Sequence, residues 1–87
     1  MNKIWSYEAW EDYLYWQTQD KKTLKRINQL IKNIDSNCYD GIGKPEPSGE
    51  NLSGFWSRRI DEKNRLVYRV RAGNIEIAQC RTHYKET

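Results

Sequence analysis

Glu46 stands between Pro45 and Pro47. Proline fixes its own φ and also restricts the residue before it, so the backbone carrying this carboxylate has little freedom. A carboxylate aimed in this way can take a proton, although the same stiffness suits a plain rigid turn. The single histidine, His83, lies beside Tyr84. An imidazole with a reference pKa of ~6.5 can give up a proton near neutral pH, and a lone histidine near a chain end can equally be a solvated surface group. Six of the seven arginines, Arg58, Arg59, Arg65, Arg69, Arg71 and Arg81, fall within residues 51–87. Guanidinium forks hold phosphate oxygens at two points, so this clustering points to a polyanionic partner, with a solvated sheet face as the alternative.

Together these residue types cover RNA cleavage. One group removes the proton of a ribose 2′-OH, cations offset the charge developing on phosphate, and another group protonates the leaving 5′-oxygen. A plain RNA-binding module with arginine and aromatic faces explains the charge too, but leaves Glu46 between prolines unexplained. Cys80-Arg81-Thr82-His83 offers at most two metal ligands, with no second Cys/His pair to complete a zinc site. Cys80 suits a small buried strand residue better than an exposed thiolate. This chemistry calls for no metal and no cofactor.

Residues 1–50 carry seven Lys/Arg against eight Asp/Glu, and residues 51–87 carry eight against four, so the net charge of +3 is concentrated in the C-terminal part. Asn2-Lys3-Ile4-Trp5 reads as a short strand, followed by Ser6 as a helix N-cap with Glu8 in the first turn. Trp10, Tyr13, Leu14 and Gln17 recur at helical spacing as the inward face, which leaves Glu11, Asp12 and Tyr15 outward. Asp20 caps a second helix with an apolar stripe of Leu24, Ile27, Leu30, Ile31 and Ile34 and a basic opposite side. The short link between the two predicts an antiparallel helical hairpin. From Asp35 to Asn51, glycines and prolines predict an irregular loop. Three strands follow at Leu52–Ile60, Arg65–Arg71 and Asn74–Arg81, joined by short turns as an antiparallel meander. In the middle strand, Leu66, Tyr68 and Val70 face the helices, and Arg65, Val67, Arg69 and Arg71 face away.

The expected architecture is therefore α+β: an N-terminal strand, a two-helix hairpin and an antiparallel three-stranded meander, with one sheet face left accessible. At 87 residues and 10.5 kDa the chain fits one small domain over residues 1–87, and its eleven aromatic residues enlarge a thin core. No apolar run reaches the ~18 residues of a membrane span, and the start lacks the apolar stretch of a signal peptide. Two cysteines make no disulfide framework. A reduced, cytoplasmic protein is expected.

The sequence resembles the YoeB/Txe branch of the RelE/ParE toxin superfamily, whose members are toxins of type II toxin–antitoxin systems. The resemblance runs through Ile4-Trp5-Ser6, Asp12-Tyr13-Leu14-Tyr15-Trp16, Gly43-Lys44-Pro45-Glu46-Pro47, the stretch Asn51 to Ile60, Arg65-Leu66-Val67-Tyr68 and His83-Tyr84. It implies the RelE-like, microbial-ribonuclease-like toxin fold and a ribosome-dependent mRNA endoribonuclease that cuts in the A site and inhibits translation. Carried over by position, Glu46 is the general base, His83 the general acid, Arg65 the stabiliser of phosphate charge, Arg59 a supporting phosphate contact, and Tyr84 orients the nucleotide. Lys44 lies near enough in sequence to help hold phosphate. The implied partners are the ribosome and its mRNA, a YefM/Phd-type antitoxin, operator DNA reached through the antitoxin complex, and a second copy in a homodimer; no membrane is implied. A gyrase-inhibiting branch shares the superfamily, so a non-enzymatic toxin is the competing reading. Two departures stand out: Ser48-Gly49-Glu50 replaces a lysine common after Pro-Glu-Pro, and Lys85-Glu86-Thr87 follows the usual His-Tyr ending.

Overall fold

Ser6 joins three parts of the molecule. Its Oγ accepts the Ala9 N–H at 3.0 Å as a helix N-cap and donates to the Ala78 carbonyl at 2.8 Å, and its own N–H donates to the Ile77 carbonyl. It thereby ties strand β1 (Asn2–Trp5) and helix α1 (Tyr7–Gln19) to the last strand in the chain, which lies beside β1 in the sheet. The structure, a computed structural model, describes residues 1–48 and 54–82. Asp20 ends α1 and begins α2 (Lys21–Ser36): its N–H donates to the Trp16 carbonyl, while its carboxylate accepts from the Lys22 and Thr23 N–H groups and the Thr23 hydroxyl. One extended residue thus makes the reversal of the helical hairpin. Both expected caps are present.

Strands β2 (Glu46–Pro47), β3 (Trp56–Arg59), β4 (Arg65–Arg71) and β5 (Asn74–Gln79) complete a five-stranded sheet of order β1-β5-β4-β3-β2. The expected meander is β3-β4-β5, antiparallel throughout. Two strands extend it at its edges. β1 adds parallel to β5, and the two residues of β2 pair antiparallel with β3, inside what the sequence presents as irregular loop. An edge is where a proline is tolerated, because its missing N–H faces away from the ladder. The first meander strand is shorter than expected, and its predicted start at Leu52 lies outside the described residues. β5 stops before Cys80, whose N–H goes to the Asp12 carboxylate at 3.0 Å and whose carbonyl accepts the Trp16 indole N–H at 2.8 Å.

The core lies between the helices and one sheet face, with Ile27, Leu30, Ile31 and Ile34 of α2 packed over Leu66, Tyr68, Ile75 and Ile77. The α2 stripe agrees with the sequence pattern. The expected phase of α1 does not: Ala9, Asp12 and Trp16 are buried, whereas Trp10 and Leu14 are exposed. Hydrophobicity alone misplaces this helix because Asp12 and Trp16 are needed inside to satisfy the backbone of Cys80. Trp10 instead packs with Trp5 and Tyr13 in a peripheral aromatic group. No helix among the described residues is long and apolar enough to cross a membrane.

Candidate active site

Strand alternation sends Trp56 and Arg58 toward the helices and Ser57 and Arg59 to the opposite, helix-free face. Register places Glu46 opposite Ser57, Ser57 opposite Val67, and Val67 opposite Gln79, so these four share a row across that face. Arg59 and Arg65 form the next pair on the same face, one and two strands over from Glu46 and about 7 Å along the strand direction. The face therefore carries Glu46 and the neighbouring pair Arg59 and Arg65.

A specific anchor holds Glu46 to the sheet. The Gly43 carbonyl accepts the Arg59 N–H at 2.7 Å and the Ser48 N–H donates to the Phe55 carbonyl at 2.8 Å, so hydrogen bonds bracket β2 on both sides. Gly43 has φ +82°, and a Cβ there would stand 2.7 Å from Leu30 Cδ2 and 3.1 Å from Arg58 Cβ. Only glycine fits both the backbone turn and the close approach. Lys44 follows with φ +49° and is exposed, two residues before Glu46.

Arg58 makes this local path possible. It is fully buried. Its guanidinium donates to Asn33 Oδ1 at 2.6 Å, to the Asp40 carbonyl at 2.6 Å, to the Ile42 carbonyl at 3.1 Å, to the Asn37 carbonyl and, through Nε, to the Tyr68 hydroxyl. The Tyr68 hydroxyl in turn donates to the Cys38 carbonyl at 2.7 Å. One cation thus satisfies several carbonyls of a segment that lies outside helix and strand, and fixes the path from α2 to Glu46. Burial raises the Tyr68 pKa despite the neighbouring Arg58, so this hydroxyl stays a donor.

Arg65 is half-buried, and its Nη1 donates to the Asp61 carbonyl at 2.7 Å and the Asn64 carbonyl at 3.1 Å. The turn that supplies them is closed by Asp61 Oδ1, which accepts the Lys63 and Asn64 N–H groups at 2.8 and 2.7 Å. Burial works to raise the Asp61 pKa, but the Asn64 side-chain and backbone donors and the Lys63 N–H outweigh it and hold the carboxyl below its ordinary value. The hydrogen bonds of Arg65 in this turn go to carbonyls, and the Asp61 carboxylate is the charge it feels nearby.

The arginine cluster of the sequence divides three ways. Arg59 and Arg65 remain on the free face. Arg58 is a core residue, which corrects its assignment to a polyanion-binding set. Arg69 pairs with Glu76 and lies 4.6 Å from the Phe55 ring centroid, Arg71 reaches the same Glu76 at 3.3 Å, and Arg81 sits 3.6 Å over Tyr15. The first of these, with Arg71, holds the Glu76 carboxyl below its usual range. His83 and Tyr84 lie outside the described residues. The chain leading to them is held at Cys80 by Asp12 and Trp16, and at Thr82, whose N–H donates to Asn64 Oδ1 at 2.8 Å. Sequence reasoning did not single out Asn33, Arg58 or Asn64 for these positions. The only available signal was polar residues placed among apolar ones, as with Asp12 four before Trp16.

This two-helix layer over a five-stranded sheet is the fold of the RelE-like bacterial toxins. A YoeB dimer from Staphylococcus aureus has 50% sequence identity and a TM-score of 0.90, over 97% of this chain and 98% of that one. A YoeB-YefM complex from the same organism has 49% identity and a TM-score of 0.90, with the same coverage. Toxin YoeB of Escherichia coli (strain K12) is 57% identical over 84 residues, which is 97% of this chain and all of the relative. Residues 5–84 match the model of the YoeB-like toxin of bacterial type II toxin-antitoxin systems. The chain belongs to this YoeB toxin family.

Proposed function

We propose that this toxin is a ribosome-dependent endoribonuclease that cuts mRNA in the A site and so stops translation. The observation that carries the reading is the row containing Glu46 beside the Arg59–Arg65 pair on the helix-free face. In this reading Glu46 takes the proton of the ribose 2′-OH, which attacks the adjacent phosphorus. Arg65 offsets the charge that develops on the phosphate, with Arg59 and Lys44 holding the backbone on either side. His83 protonates the leaving 5′-oxygen, and Tyr84 orients the nucleotide. The products are a 2′,3′-cyclic phosphate and a 5′-OH. No metal or cofactor enters this scheme.

Open geometry supports the ribosome requirement. Glu46 and Arg59 are exposed beside the buried Ser57 and Val67 of the same face. Such a site gains most from a substrate presented in a fixed orientation, which a ribosome supplies. The partners in this proposal are a YefM-type antitoxin that covers the basic face, operator DNA bound through the toxin–antitoxin complex, and a second copy of the toxin, all in the cytoplasm. The S. aureus relatives supply the precedent for the complex and the dimer.

Primer extension on a defined mRNA, with and without programmed ribosomes, tests the reading. A new A-site end only with ribosomes is expected. Cutting of free mRNA as well would remove the ribosome from the scheme. Intact RNA in both, with inhibition of a topoisomerase, would replace the nuclease by a gyrase-directed toxin.

A further inference from the structure

We propose that Asn64 is a positioning residue that couples the phosphate-stabilising arginine to the general acid. This inference rests on the roles given above to Arg65 and His83. Asn64 is 9% exposed, and each of its polar groups is used. Its side-chain Nδ2 donates to Asp61 Oδ1 and Oδ2 at 3.2 and 3.0 Å, its carbonyl accepts from Arg65 Nη1 and from the Ile60 N–H, and its Oδ1 accepts the Thr82 N–H. Arg65 follows Asn64 directly and His83 follows Thr82 directly. One side chain therefore links the backbone that carries the cation to the backbone that leads to the acid, across 18 residues of sequence.

The other contacts at this strand exit act one and two residues earlier. Asp12 and Trp16 fix Cys80, and Arg81 stacks on Tyr15. Only the Asn64 bond reaches Thr82 among the described hydrogen bonds. Without it, the Thr82 backbone loses its tie to the turn that carries Arg65. In the reaction, the 2′-oxygen bonds to phosphorus after yielding its proton to Glu46, the P–O5′ bond breaks, and the 5′-oxygen takes the His83 proton. Misplacing the donor of that proton slows the P–O5′ cleavage while leaving the cations in place.

The test compares two synthetic mRNAs on programmed ribosomes under single-turnover conditions, one normal and one with sulfur replacing the bridging 5′-oxygen at the scissile position. A thiolate leaves without a proton, so loss of the acid costs little on the sulfur substrate. Asn64→Ala should slow the oxygen substrate by roughly 10²-fold, the scale for a misplaced reacting group, and stay within a few-fold of wild type on sulfur. Asn64→Asp combined with Asp61→Asn exchanges the two side chains, keeps an acceptor for the Thr82 N–H and a donor–acceptor pair across the turn, and should restore the wild-type oxygen-to-sulfur ratio. Should Asn64→Ala fail to fold, Thr82→Pro removes the donated N–H without touching the turn and should show the same selective loss. Equal slowing on both substrates would overturn the proposal. His83→Ala serves as the control for the reading beneath it: if sulfur does not rescue that variant, His83 is not the acid, and the coupling falls with it. If sulfur rescues His83→Ala but not Asn64→Ala, only the coupling fails.

Discussion

Arg59 and Arg65 are direct register partners on β3 and β4, two arginines opposite each other at one ladder position. Like charges placed directly opposite destabilise a sheet by ~0.2–1 kcal/mol. Nothing in the packing requires the pair, since Arg59 is exposed and Arg65 leans on carbonyls of its own turn. A repulsive pair on a free face is what an anion-binding surface looks like before the anion arrives. Arg59→Gln should therefore raise the urea midpoint slightly while weakening binding of a phosphodiester substrate. A variant that is less stable and still binds RNA at full strength would contradict this account.

Replacing Arg58 should have the opposite profile. Arg58→Ala leaves the carbonyls of Asn37, Asp40 and Ile42 without the Arg58 donors, and leaves Asn33 Oδ1 with the Ile42 N–H alone. Each buried group left unsatisfied costs about 1–3 kcal/mol. A domain of this kind has only ~5–15 kcal/mol in total. Loss of cooperative unfolding, or a midpoint lowered by several kcal/mol equivalents, is expected in urea titrations. Arg58→Lys should recover little, because a single ammonium cannot span acceptors arranged for a planar fork. Near wild-type stability for either variant would mean that the network is incidental.

Much of the fold can be read from pattern, and particular residues mark where that reading stops. The α2 stripe, the caps at Ser6 and Asp20 and the bounds of β4 follow from periodicity and capping chemistry, which are local. The parallel pairing of β1 with β5 joins residues more than seventy positions apart and has no local signal. The phase of α1 depends on where the chain leaves β5, because Asp12 is drawn inside by the Cys80 N–H. For the site, Glu46, Arg59 and Arg65 stand out through backbone stiffness and resemblance. Arg58 falls in the same sequence cluster, and neither charge nor spacing distinguishes a buried arginine from an exposed one; Asn33 and the loop carbonyls that receive it are remote in sequence.

Glu46→Gln keeps the shape of the side chain and removes its capacity as a base. Single-turnover cleavage on programmed ribosomes should fall by at least ~10²-fold, the usual scale for losing acid–base help. Stability should stay within ~0.5 kcal/mol, since Glu46 is an exposed residue of an edge strand whose β2 backbone bonds are untouched. Wild-type cleavage by this variant would return Glu46 to the role of a turn residue.

The two thiols should separate cleanly by reactivity. Burial, and then the nearby Asp12 charge, push the Cys80 thiol up to about 12. It is fully buried, with its Sγ donating to the Ala9 carbonyl at 3.6 Å. Cys38 is only half-buried. Iodoacetamide at pH 8 should label Cys38 in the native protein, and label Cys80 only after unfolding, because the thiolate is the nucleophile. Peptide mass spectrometry that found both labelled at the same rate would show that the strand exit opens readily, and would weaken the clamp formed by Asp12 and Trp16.

Acid should loosen the turn that carries Arg65. Asp61 is held below its ordinary value of ~3.9 by donors that outweigh its burial. A carboxyl depressed in the folded state contributes stability that is fully present above its unfolded pKa and is lost as the pH falls through its folded value. Asp61→Asn has no such charge to lose. The difference in urea stability between wild type and Asp61→Asn should therefore be constant from pH 5 to 7 and shrink below pH ~4. Asp20, Asp35 and Glu76 are depressed too, by Thr23, Lys3 and Arg69 respectively, but they are present in both proteins and cancel in the comparison. A difference that persists unchanged to pH 2 would show that the Asp61 charge is not what closes the turn, and that its neutral hydrogen bonds suffice to hold Arg65 and Asn64 in place.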